Sequence, residues 1–173
     1  MSILVKTVHH NPDVVVKVYR GDPPPADAGY RFHLSRSRYK AALAANEPES
    51  FALPGDAETI RALLTASFDP YTSDLPGAGE LEAWIGGRRV LAVRDGARLA
   101  GFLHRSVNKR GGTIHHLVTA PESRGQGVGG RLLNMLAGPT EVWVTDGNEP
   151  ALRLYTRHGF RPDGVKMTAY IER

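Results

Sequence analysis

Apolar positions recur at two periods along the chain, and each change of period marks a change of element. The β-branched run Val14, Val15, Val16 and Val18 with Tyr19 predicts a strand over 14–19. Residues 21–29 hold three successive prolines and two glycines, which neither a ladder nor a helix interior accommodates, so they form a loop. A short extended piece over 30–34 is expected next, and the Ala- and Leu-rich stretch 36–45 predicts a helix. Ile60, Leu63, Leu64 and Phe68 recur at helical spacing behind Asp56, an N-cap residue type, and a second short helix is expected over 80–85. Strands are expected over 89–93, 98–107 and 113–119. The turns between them, Asp95-Gly96 and Lys109-Arg110-Gly111-Gly112, make the three an antiparallel meander.

Beyond residue 119 the order changes. A glycine-rich loop opens a helix with Val128, Leu132, Met135 and Leu136 on one face, and Gly138-Pro139 ends it. A strand over 141–145 follows. Asn148 then caps a helix with Pro150 in its first turn and His158-Gly159 at its end, and a last strand covers 166–171. Helices and hairpins around one mixed, mostly antiparallel sheet give an α/β (α+β) fold. Residues 50–173 form its regular part, behind an N-terminal strand/helix extension over 1–49.

Composition narrows the chemistry. The 173 residues are 41% hydrophobic, enough to bury a core, and contain no cysteine. Disulfides, thiolate metal sites and a cysteine nucleophile are thereby excluded, and no other metal-ligand set has sensible spacing. The net charge is +4, but Lys and Arg are scattered rather than massed, so nucleic acid is not an expected partner. No apolar run is long enough to span a membrane, and the opening residues lack a secretion pattern. A cytoplasmic protein is expected.

The most informative stretch is Thr119-Ala120-Pro121-Glu122-Ser123-Arg124-Gly125-Gln126-Gly127-Val128-Gly129-Gly130-Arg131. It joins a strand to a helix through alternating glycines, so an oxygen-rich ligand can approach the main chain. Successive N–H groups and the helix dipole there favour a phosphate or diphosphate, with Arg124 and Arg131 adding charge. The same residues satisfy G-x-G-x-x-G, with Asp146 about where a ribose-binding acid belongs. Context opposes a dinucleotide fold: the preceding strands are hairpin-linked, and the residues from 131 to 173 hold two strands at most.

The segment from Leu117 to Gly129 resembles the acyl-CoA signature of the GNAT superfamily of N-acyltransferases, roughly L-x-V-x-P-x-x-R-G-x-G-x-G. Asn148, Ala151, Leu154, Tyr155, Gly159 and Phe160 resemble its second block, N-x-x-A-x-x-L-Y-x-x-x-G-F. Thr119 stands where the family usually has an aliphatic residue, and Ser123 where an aromatic is common. The resemblance covers about 50–173. It implies acetyl-CoA as cosubstrate, lying between two splayed strands that end near Thr119 and Thr145. Its diphosphate would meet the N–H groups from Gly125 through Gln126, Gly127, Val128 and Gly129 to Gly130, beside Arg124. Its pantetheine arm would run along Leu117, Val118 and Thr119, with Asn148 and Tyr155 also in contact.

Transfer in that family is direct, from thioester to a primary amine of a small molecule or peptide. Within the resemblance, Tyr155 is the acid that protonates the leaving thiolate. His115 or His116 is the candidate base; as neighbours on a strand their side chains are expected to face opposite ways, so that only one enters the acceptor cleft. Asp146 is a further candidate. The acceptor loop includes Asp69, Tyr71, Thr72, Ser73 and Asp74, a set that suits either a cationic amine or a solvated turn. The competing reading is a protein that keeps the glycine loop and binds acyl-CoA without catalysis. The N-terminal strand is compatible with a homodimer.

Overall fold

The computed structural model describes residues 3–8, 11–20, 30–69, 73 and 75–172, and the alternating stretches of the sequence become eight strands of one sheet. In chain order these are β1 (Ile3–Val8), β2 (Asn11–Arg20), β3 (Tyr30–Leu43), β4 (Val90–Asp95), β5 (Arg98–Asn108), β6 (Gly111–Thr119), β7 (Gly138–Thr145) and β8 (Arg161–Glu172). Among the described residues four α-helices flank them: α1 (Ala57–Ser67), α2 (Ala78–Gly86), α3 (Val128–Asn134) and α4 (Glu149–Arg157). The spatial order is β1-β2-β8-β3-β7-β6-β5-β4. Every neighbouring pair is antiparallel except β6 and β7, which run parallel. The proline-rich stretch 21–29 lies outside the described residues.

Two apolar layers sandwich the meander. On one face Leu91, Val93, Leu103 and Ile114 pack with Leu132, Leu133, Tyr155 and Phe160 from the α3 and α4 side. On the other, Val90, Ala92, Phe102 and Val118 pack with Ile60, Leu64, Leu81 and Trp84 of α1 and α2. β5 is buried continuously from Leu99 to His104 because it is covered on both faces. Asp56 fixes the entry to α1. Its carboxylate accepts from the Leu53 N–H at 2.7 Å and pairs with Arg94 of β4. Burial opposes the charge on Asp56, but these partners outweigh it and hold the carboxyl below its usual range. No helix among the described residues is long and apolar enough to cross a membrane.

One expectation is overturned. Residues 36–45 do not form a helix; 30–43 are a single strand inserted between β7 and β8. The N-terminal extension among the described residues is therefore three strands, and β3 pairs with β7 and β8 of the part beyond residue 50. Helix propensity for Ala and Leu amounts to a few tenths of a kcal/mol per residue. A ladder on each side outweighs it. Tyr39, Ala41 and Leu43 alternate toward the core while Lys40 and Ala42 are exposed, a period of two. Arg38 of β3 donates to Asp163 of β8 at 2.7 Å, adding a side-chain tie between the two strands.

The second finding concerns β6. Its register against β5 pairs Arg105 with Ile114 but His104 with His116, leaving His115 as an extra residue, a β-bulge. At that point β6 also leaves β7. The parallel pairs are Gly112 with Thr140, Thr113 with Glu141 and Ile114 with Val142, and pairing then stops. A bulge bends its strand and increases its twist, which accounts for the parting beginning here.

Ser37 is paired on both sides, with Val144 of β7 and Lys166 of β8. Proline there removes a donor that a central strand requires. S37P should cost about 3 kcal/mol and lower the melting temperature by roughly 6–12 °C, whereas A45P, beyond the strand, should cost less than a third of that. Calorimetric melting of the two variants checks it.

Candidate functional site

Beyond Ile114 and Val142 the two parallel strands form a fork. β5 holds the outer side of β6 along its length, and β3 holds the outer side of β7 up to Thr145. The inner edges, from His115 to Thr119 and from Trp143 to Thr145, are not paired with each other. Unpaired edges within a sheet can take a strand-like ligand.

Two cavities run along this fork. One, of about 610 Å³, lies at the far end under the glycine loop and reaches Arg157 and His158 of the α4 end. The other, of about 290 Å³, lies at the crotch among His115, His116, Val142, Trp143, Met167 and Arg36. Phe68, Leu117, Asn148, Ala151 and Tyr155 line both, so the two adjoin along one cleft.

The glycine loop is built for close approach. Gly125 and Gly127 have φ of +75° and +76°, conformations that L side chains rarely adopt, and a Cβ on either would project into open space. Gly127 is the N-cap of α3, whose first N–H groups have no intrahelical partner. A Cβ at Gly129 would meet Leu154 at 2.9 Å, so this glycine lets α3 lie against α4. Val118, Thr119, Arg124, Val128 and Gly130 also line the larger cavity. An open main-chain cradle with Arg124 and Arg157 at its mouth fits a diphosphate-bearing ligand such as coenzyme A.

α4 presents Asn148, Ala151 and Tyr155, spaced three and four apart, to the cleft. The Asn148 side chain caps the helix, accepting from the Ala151 N–H at 3.3 Å. Tyr155 is buried with its ring edge-on to Phe160 at 5.2 Å. Burial pushes its phenol pKa up, so the proton stays on oxygen at neutral pH.

Histidine geometry at the crotch departs from simple strand alternation. The bulge brings both His115 and His116 beside His104 of β5, at ring separations of 4.9 and 5.4 Å, and both line the smaller cavity. His104 Nδ1 and His116 Nδ1 are 3.1 Å apart. His104 also stacks on Trp84 at 3.7 Å, and the Phe68 ring stands edge-on to His116 at 4.9 Å. Burial is the main cause that lowers the His104 pKa to about 3, followed by the charges of His116, His115 and Arg89. His115 is more open, with Nε2 2.7 Å from Ser106 Oγ; desolvation and then Arg89 lower its pKa against the opposing Glu141.

Other expected residues lie elsewhere. The Gln126 side chain turns back to the Glu122 carbonyl at 3.4 Å. Arg131 pairs with Glu47 rather than facing the loop's cavity. Asp146 accepts a hydrogen bond from Ser37 at 2.7 Å on an exposed turn. Of the acceptor loop, Asp69 and Ser73 are described, and Arg36 donates to Ser73 Oγ at 3.2 Å; Tyr71, Thr72 and Asp74 lie outside the described residues. His104, Arg36, Phe68 and Trp143 belong to the site although no motif marks them.

Residues 86–162 match the acetyltransferase (GNAT) domain family. Solved structures share the fold. A protein described as a GNAT-family acetyltransferase from Novosphingobium aromaticivorans is 21% identical, over 93% of this chain and 74% of that one, at a TM-score of 0.65. A GCN5-related N-acetyltransferase from Sphaerobacter thermophilus is 16% identical over 83% of this chain, at 0.61; the match spans about half of that protein, 53%. An N-acetyltransferase from Staphylococcus aureus is 18% identical, over 72% of this chain and 100% of that one, at 0.56. Among curated proteins, none matches the sequence significantly.

The histidine environment gives a signed pH dependence. With a folded pKa near 3 against an ordinary value of 6.5, His104 stays neutral in the fold while the unfolded chain takes up a proton. Its contribution to stability is intact above pH 6.5 and is lost progressively as pH falls toward 3, by at most about 1.4 kcal/mol per pH unit. H104F should flatten the fall in melting temperature between pH 6.5 and 4; an unchanged slope would contradict the assignment.

Proposed function

From an acetyltransferase (GNAT) domain over residues 86–162, set in the GNAT fold, we propose that this chain transfers an acetyl group from acetyl-CoA directly to a primary amine of a small molecule or peptide. The observation that carries the reading is the position of Tyr155. It lies on the wall common to both cavities, between the glycine-loop end of the fork and the histidines at its crotch.

Acetyl-CoA supplies an acetyl group already activated as a thioester. The N–H groups between Gly125 and Gly130, with Arg124, suit its diphosphate. The free inner edge of Leu117, Val118 and Thr119 suits the pantetheine arm as an added strand. A main-chain N–H of that edge also suits the carbonyl oxygen, where negative charge develops as the amine attacks. The acceptor arrives as an ammonium ion and must lose a proton before its nitrogen can attack. His115 and His116 stand at the crotch for that role. Tyr155 holds the phenolic proton that the departing sulfur requires.

Acetyl-CoA at about 100 times its Kd should stabilise the protein by roughly 2.7 kcal/mol, raising the melting temperature by about 5–10 °C, while NADH and NADPH should leave it unchanged. A shift with a nicotinamide nucleotide alone would overturn the reading. Y155F should lower kcat at least tenfold with the Kd for acetyl-CoA within twofold of wild type. An unchanged rate would remove Tyr155 from the mechanism. Tight binding without thiol release, across a panel of amines, would instead support a non-catalytic acyl-CoA binder.

A further inference from the structure

The last two glycines of the loop motif, Gly129 and Gly130, face side chains of α4 rather than open space. A Cβ on Gly129 would meet Leu154, and one on Gly130 would lie 3.3 Å from both Cε1 and Nε2 of His158. Leu154 and His158 are one helical turn apart, so the two bare positions on α3 leave room for the imidazole. His158 and Gly130 both line the larger cavity. The ring is held by its other nitrogen, since His158 Nδ1 lies 2.9 Å from the Leu154 carbonyl oxygen. A carbonyl can only accept, so Nδ1 carries the proton, and in the neutral ring Nε2 keeps a bare lone pair.

Resting on the acetyl-CoA reading above, we propose that His158 binds the diphosphate of coenzyme A through Nε2 as an imidazolium, so that the cofactor and a proton bind together. A bare lone pair repels a phosphate oxygen, whereas a protonated Nε2 donates a charge-assisted hydrogen bond to it. A proton from the buffer forms the N–H bond at Nε2, and no bond of the ligand breaks. Nδ1–H keeps its carbonyl partner in both states, so the protonation changes Nε2 alone. The last carbonyls of α4 beside the ring also favour a positive charge there.

The surrounding charges make the two events depend on each other. Arg124 of the glycine loop and Arg157 of α4 line the same cavity, and among the described residues no carboxylate does. Tyr155, the other titratable group on its wall, keeps its phenolic proton through burial. On α3, Arg131 pairs with Glu47, and Arg161 of β8 donates to the carbonyls of Thr156 and Phe160. From α1, Ser67 and Phe68 bring no charge. Two guanidiniums oppose a third positive charge on His158, and a dianionic diphosphate reverses that balance.

Calorimetric titration of the full chain with dephospho-CoA at pH 7.5, in buffers of different ionisation enthalpy, counts the protons. This ligand keeps the diphosphate but lacks the phosphate monoester, so it has no phosphate group that titrates near neutrality. Wild type should take up at least about 0.3 proton per ligand bound, and its affinity should fall at least about fivefold between pH 6 and 8. H158Q, which keeps a neutral donor near the Nε2 position, should bind with uptake below about 0.1 proton and an affinity that changes less than about twofold over that range. No uptake, uptake with coenzyme A but not with dephospho-CoA, or uptake unchanged in H158Q overturns the proposal while leaving the acetyl-CoA reading intact. Failure of both ligands to bind defeats that reading, and the proposal with it. If H158Q does not fold, nitrogen-15 NMR of the wild-type imidazoles decides. His158 should carry a proton on Nδ1 alone without ligand, and on both nitrogens with dephospho-CoA bound; a ring unchanged at saturation overturns the proposal.

Discussion

Parallel neighbours in a sheet normally share hydrogen bonds along their length, because an unpaired inner edge leaves main-chain donors and acceptors without partners. β6 and β7 share only three residue pairs before separating at His115. The separation is tolerated because each strand is anchored on its outer side, β6 by β5 and β7 by β3. The site follows from that constraint. The open edges define where a strand-like ligand can lie. The loop at the end of β6 defines where its anionic end can rest, and α4 crosses over the opening with Tyr155.

The same bulge that opens the fork places its histidines. Strict alternation would put His115 and His116 on opposite faces. The extra residue instead turns both toward His104 and the cleft, one more open beside Ser106 and one buried against Phe68. Burial against the Trp84 ring is the main cause that holds the His104 imidazole neutral at physiological pH. The geometry of the cleft thus depends on one local irregularity of one strand.

Much of this was legible in the sequence because the relevant signals are short-range. Glycine spacing at 125, 127 and 129, the Asn148 cap with Pro150 behind it, and the two hairpin turns report local backbone geometry directly. The helix expected over 36–45 does not form because local propensity there is weak and strand pairing on both sides decides the conformation. His104 was missed for a related reason. Counting back from the turn after Asn108 without a bulge pairs His104 with His115; the bulge moves the partner to His116, and no residue type announces it. Arg36 and Trp143 reach the cleft only because β3 and β7 lie side by side, an adjacency between distant segments.

The central claim is that the fork between β6 and β7 is where acetyl-CoA binds. Amide hydrogen exchange measured with and without acetyl-CoA tests it most directly. The account predicts slowed exchange confined to 115–119, 124–130 and the residues of α4 that line the cleft, with β1, β2 and α2 unchanged. Slowed exchange at another surface, with the fork unaffected, would contradict it.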